Sequence, residues 1–311
     1  MSREGTVPSG TVPMSCKRGL SPILIGLRRY LVSAITNEPA IDDRLMEPTT
    51  RELVTLEDAY TKLENPSLAI RLSSAVGMPV EAVTRELGKR APDAVVDAVS
   101  KSTHKAIELV LQSSMRSIKG DDQGPASPRL HKAAAMTTGA VAGFFGIETL
   151  IVELPLTTGI MFRSIADIAR AEGESPQDPE TILNCMQVFA MGSRATDKDD
   201  AAETSYYGVR VALSKAVTDA LQYVASHGMG SASAPALVRL ISALASRFGV
   251  VVTQKAMAQA IPVIGAIGGG LVNTIFISHF QDMARGHFAI RGLERKYGAD
   301  IVQEAYLQLR S

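Results

Sequence analysis

Ala256-Met257-Ala258-Gln259-Ala260-Ile261-Pro262-Val263-Ile264-Gly265-Ala266-Ile267-Gly268-Gly269-Gly270-Leu271-Val272-Asn273-Thr274-Ile275-Phe276-Ile277-Ser278 is a run of 23 residues without a charge. It leads into a segment that closes Asp282-Met283-Ala284-Arg285. At 1.5 Å of rise per residue, a helix of that length covers a hydrocarbon core of about 30 Å. Gln259, Pro262, Asn273 and the glycines lower its tendency to insert. A second stretch has the same design. Ala133 to Ile147 is uncharged, continues through Glu148, Glu153 and Pro155, and closes Asp167-Ile168-Ala169-Arg170. It is too short to span a bilayer alone. Gly139 and Gly143, and likewise Gly265 and Gly269, are four apart and share a helix face where another backbone can approach; Gly146 extends the first set. Two readings stay open. The runs are close-packed core helices of a soluble bundle, or they are helical units that dip into lipid or dock on a membrane partner.

Leu156 to Arg170 aligns without gaps on Leu271 to Arg285, with Leu, Ile, Asp, Ala and Arg coinciding. An internal duplication explains the match, but so does chance between two short helices.

The rest of the chain is helical in pattern. Leu53, Leu56, Ala59, Tyr60 and Leu63 repeat at helical spacing. Asn65-Pro66 ends that helix, and Ser67 to Val76 forms the next. A long helix opens at Ala91-Pro92-Asp93 and runs to Ile118. Asp178-Pro179-Glu180 is a helix start, with a capping acceptor, proline in the first turn and an acid at the positive end. Tyr206 to Ala225 is helical, and Gly228 to Ser233 is a link. No segment alternates with period two, so the fold class is all-α: a multi-helix bundle containing two glycine-rich apolar units. Residues 1–50 read as a flexible leader interrupted by five prolines, and residues 119–128 as a subdomain break.

Bulk composition narrows the function. Lys+Arg and Asp+Glu are both 32, so no net basic field points to nucleic acid. There is no Trp, which removes the usual aromatic membrane belt. The two cysteines, Cys16 and Cys185, supply neither a disulfide framework nor a cysteine zinc site. The first residues lack the apolar core of a secretory signal, which gives an expectation of cytoplasmic residence.

Candidate chemistry centres on acids and histidines. Glu148 and Glu153 flank an apolar stretch, where a carboxylate is costly unless paired or protonated; Arg163 and Arg170 are the nearest cations in sequence. Asp167/Arg170 and Asp282/Arg285 are each three apart and can pair on one helix face as structural ion pairs. His279, Asp282 and His287 are chemically adequate metal ligands, yet two histidines eight apart are offset by about 80° on a helix. No metal or cofactor is expected. The usual phosphate-loop, nucleophile-elbow and zinc-protease motifs are missing from the sequence. Phe288 to Tyr297 reads as a basic amphipathic helix that covers the bundle or lies on a surface.

An ordered series of motifs resembles the EcsC family. It includes His131-Lys132-Ala133 through Gly139, Gly143 and Phe144-Phe145-Gly146, then Leu154-Pro155-Leu156-Thr157-Thr158 and Arg163 to Ala169. It continues with Asp178-Pro179-Glu180-Thr181 and Ile261 to Ala266. Asn273, Phe280, Met283-Ala284-Arg285, His287-Phe288 and Leu293 to Gly298 complete it. The resemblance covers Leu53 to Tyr306 and implies a helical domain over 51–311. It further implies an accessory protein at the cytoplasmic face of the inner membrane, because the family is named for a gene beside an ABC transporter locus linked to secretion and competence. With the uncharged glycine runs, it gives as expected partners a membrane surface, a membrane protein such as an ABC transporter subunit, or a lipid ligand, and the runs give Gly139, Gly143, Gly146, Gly265 and Gly269 as docking positions. The alternatives are a hydrolase-type enzyme using Glu148, Glu153, Asp167, His279, Asp282 and His287 between the two units, and a carrier of an apolar ligand.

Overall fold

The computed structural model describes residues 49–64, 68–87, 89–117, 147–192, 205–227, 233–261 and 269–309. Every regular element among them is helical. In chain order these are α1 (Thr50–Glu64), α2 (Leu68–Val76), α3 (Val80–Leu87), α4 (Asp93–Ser117), α5 (Ile147–Ala171) and α6 (Pro179–Gln187). A 3-10 turn (Val188–Ala190) follows, then α7 (Tyr206–His227), α8 (Pro235–Ala260), α9 (Gly269–Tyr297) and α10 (Ala299–Gln308). The 1–50 leader and the 119–128 break fall outside the described residues, apart from Thr49 and Thr50.

Local chemistry explains the helix ends. Thr49 and Glu52 form a capping box: the Thr49 amide donates to Glu52 Oε2 at 2.8 Å, and the Glu52 amide to Thr49 Oγ1 at 3.3 Å. Asp178 caps α6 by accepting from the Glu180 amide at 3.1 Å, with Pro179 in the first turn, as its sequence predicts. α5 runs through Pro155 and stops at Gly173, whose φ of 83° closes it. There the Gly173 amide donates to Arg170 O and the Glu174 amide to Ala169 O, pairing carbonyls that the helix end leaves open.

α9 is the centre of the bundle. It packs against α1, α2, α5, α8, α10 and the 3-10 turn, while α4 lies between α5 and α8. Phe189, Phe248, Phe276 and Phe280 interlock around it, with neighbouring ring centroids 5.1–5.6 Å apart. Gly286 faces Leu63 of α1: a Cβ there would lie 2.6 Å from Leu63 Cγ.

The uncharged run 256–278 is not one helix. α8 ends at Ala260, where Ile261 turns extended at φ −73°, ψ 119°, and α9 starts at Gly269. Pro262 has no amide hydrogen to continue α8, which accounts for the stop. The described part of the run beyond the break lies in protein, with Val272, Asn273, Phe276 and Ile277 all buried. α8 is long and apolar enough to cross a bilayer, by length and composition. Its Leu240, Leu244, Phe248, Val251 and Val252 nonetheless face the core, leaving Val238 and Val250 exposed. The amphipathic segment Phe288–Tyr297 is the end of α9. It buries Ile290, Leu293 and Tyr297 against the bundle.

Candidate functional site

Charged and phenolic side chains converge where α7 crosses α9. Tyr206, Tyr207 and Arg210 occupy the first turns of α7, and their 3- and 4-residue spacing sets them on one face. Arg210 grips Glu294 of α9 with both guanidinium nitrogens, at 2.6 and 3.0 Å. The Tyr207 hydroxyl donates to the same carboxylate at 3.1 Å. Arg210 also donates to the Tyr206 hydroxyl at 3.2 Å, and that hydroxyl lies 3.0 Å from His287 Nδ1. A guanidinium only donates, so the phenol oxygen accepts from Arg210 and shares its other hydrogen bond with Nδ1. The other ring nitrogen, Nε2, is buried and has no hydrogen-bond partner among the described residues. Burial first, then the Arg210 and Arg291 charges, hold the imidazole neutral well below the usual histidine range. Tyr306 of α10 completes the cluster, with ring centroids 5.1 Å from Tyr60, 5.6 Å from Tyr206 and 5.1 Å from Tyr207. Glu64 accepts from the Tyr306 hydroxyl at 2.9 Å and from the Tyr206 amide at 3.1 Å.

The remaining candidates have separate surroundings. Asp282 sits between two guanidiniums, Arg285 on its own helix and Arg71 of α2, each at 2.7 Å. Asp167 is met by Arg170 at 3.4 Å. The two short-range pairs therefore form within their helices, and Asp282 takes its further partner from α2. His279 is buried with its ring 5.1 Å from Phe280, under the close approach of Gly192. Glu148 and Glu153 lie on α5, with side chains outside the described residues, as are Gly139, Gly143, Gly146 and Gly265. Gly269 begins α9. Among the described residues no group of three histidines, cysteines or acids could hold a metal.

Two further features escape sequence reasoning. Lys255 is fully buried, donates to Asn273 Oδ1 at 3.0 Å and stands 5.0 Å above the Phe276 ring. Nothing local marks it beyond its place just before the uncharged run. Arg291 bridges Glu174 and Glu180, at 3.0 Å each, and Arg295 joins Glu174 as well. The basic residues of the amphipathic segment are thus tied to the bundle. Burial also pushes the Cys185 thiol and the Tyr206 phenol up, so neither supplies an anionic nucleophile at neutral pH.

A family model for the EcsC protein family matches residues 62–293, most of the chain. The chain belongs to the EcsC family. No curated protein and no solved structure matches it. The EcsC match takes in the α7–α9 crossing up to Leu293. It stops short of Glu294 and of α10, so the Glu294 and Tyr306 ends of the cluster lie beyond it.

Proposed function

We propose that this EcsC-family chain is a non-enzymatic accessory protein of the cytoplasmic membrane face, docking through its glycine-bearing segments on lipid or on a membrane partner such as an ABC transporter subunit. The observation that carries the reading is the connection between α8 and α9. Connections between helices are normally polar surface. This one is Ile261-Pro262-Val263-Ile264-Gly265-Ala266-Ile267-Gly268, without a single polar side chain. The segment entering α5, Ala133 to Gly146, is likewise uncharged. Apolar chain without charge is costly in water and favourable against acyl chains or an apolar partner.

The polar groups support the same reading. A hydrolase needs an activated nucleophile beside a base. Here Asp167 and Asp282 are neutralised by arginines, and His287 is neutral and tied to a phenol. The transport link comes from the family resemblance, and the docking mode from the two uncharged segments.

Flotation with vesicles of phosphatidylethanolamine and phosphatidylglycerol tests the proposal. The native chain floats, and Gly143→Leu, Gly269→Leu or Ile264→Glu in a still-helical protein loses binding. Retained flotation by all three variants overturns the docking mode. A native chain that stays at the bottom of the gradient overturns lipid as the surface.

A further inference from the structure

α10 is ten residues long and is reached through Gly298, whose φ of 91° turns the chain sharply after α9. An isolated helix of that length is marginal in water, so α10 owes its order to what it lies on. It rests on α9 and α1, burying Val302, Ala305 and Tyr306 while Leu307 stays exposed. Tyr306 makes its chief contact, through Tyr60, Tyr206, Tyr207 and Glu64. Tyr206 is also the residue whose hydroxyl holds His287 Nδ1. One phenol ring therefore stands between α10 and a buried imidazole.

The ionisable groups around that imidazole come from every neighbouring element. α7 presents Tyr206, Tyr207 and Arg210; α9 presents Arg291 and Glu294; α10 presents Tyr306; and α1 presents Glu64. Behind Arg291 stand Glu174 and Glu180. Three of these carboxylates are already engaged: Glu294 by Arg210, Glu174 by Arg291 and Arg295, and Glu180 by Arg291. A proton on His287 in the closed form would add a buried positive charge beside two half-buried guanidiniums. Its Nδ1 could then only donate to the Tyr206 oxygen, which already accepts from Arg210, and Nε2 has no partner among the described residues.

We propose that α10 is an acid-opened strap: protonation of His287 favours the form in which α10 has swung about Gly298 away from Tyr206 and α1. Water then reaches the Tyr206–His287 pair, and the charged imidazole is solvated. The closed form keeps His287 neutral far below 6.5, its ordinary value. The open form lets it approach that value, so it binds a proton the closed form refuses. Opening is therefore disfavoured above about pH 6.5 and grows as pH falls below it. Between about pH 7.5 and about pH 5.5 the opening constant rises about tenfold.

Hydrogen exchange of the full chain, corrected for the intrinsic pH dependence of exchange, reads this directly. Protection of 299–309 falls about tenfold between those two pH values, while peptides of α4 and α8 keep theirs. His287→Gln abolishes the pH response, and His104→Gln and His227→Gln, at exposed positions, retain it. Unchanged protection of α10, the same fall in His287→Gln, or an equal fall in α4 and α8 overturns the strap. Tyr306→Ala keeps the test open should His287→Gln fail to fold. It loosens α10 without touching His287 and moves the ring titration of His287, followed by NMR, to higher pH. An unmoved midpoint overturns the coupling.

Discussion

Gly192 follows the 3-10 turn and lies at φ 70°, and an added Cβ would sit 2.5 Å from His279 Nε2 and 2.7 Å from Cε1. Gly192→Ala therefore carries two costs of the same sign. Left-handed backbone costs an L-residue about 1–2 kcal/mol. The clash adds about 1–3 kcal/mol, because the fully buried His279 ring must shift within a packed core. The sum is about 2–5 kcal/mol. Gly173 provides the internal control. It has φ 83° and nothing within 4 Å of its would-be Cβ, so Gly173→Ala pays the backbone cost alone. Urea unfolding of both variants gives the two free energies, and their difference isolates the contact with His279. Equal losses in the two variants refute the claim that Gly192 is set by packing. A loss at Gly192 below about 1 kcal/mol refutes the backbone argument as well.

Breaking the Arg210–Glu294 pair is the next test. Glu294→Gln leaves a guanidinium that is 24% exposed without its counter-charge, which costs about 2–4 kcal/mol in urea unfolding, while Arg210→Met with Glu294→Leu recovers most of the loss. Glu52 governs stability in acid. Burial opposes its ionisation, but Lys296, the Thr49 amide and hydroxyl, and Tyr297 outweigh that and lower its carboxyl from 4.5 to about 2. A depressed carboxyl stabilises the fold fully above the unfolded value. Its contribution is lost as pH falls from about 4.5 to about 2, and Glu52→Gln flattens that part of the pH–stability curve.

Local pattern made the helices legible. The Leu53–Leu56–Ala59–Leu63 stripe is the buried face of α1, and Asp178-Pro179 starts α6 with its cap in place. Short-range ion pairs were equally readable, since Asp167/Arg170 and Asp282/Arg285 need only helical spacing. Two helices left weaker marks. The outward Val238 and Val250 of α8 are as apolar as its inward residues, which blurs its stripe, and α10 mixes acids and glutamines into ten residues. The break after Ala260 was visible only as Pro262 within a continuous apolar run. The α7–α9 cluster was illegible for a different reason. Arg210 and Glu294 are 84 residues apart, and Tyr306 and Glu64 are 242 apart, so only the packed fold makes them neighbours. His287 stood out as a polar residue in an apolar helix, but its partner Tyr206 read as one more helical aromatic.

The seat of α1 on α9 sets a timetable for synthesis. Leu53, Leu56, Ala59 and Leu63 emerge early, whereas the helix that covers them is finished only at Tyr297. Lys296 reaches Glu52 across 244 residues of chain. At ordinary translation speeds of roughly 5–20 residues per second, the first helix waits roughly 10–50 s with its apolar stripe uncovered. The apolar stripe of the N-terminal half therefore stays uncovered until the last helices leave the ribosome. A nascent chain halted before α9 keeps a bare stripe that marks it for aggregation or proteolysis.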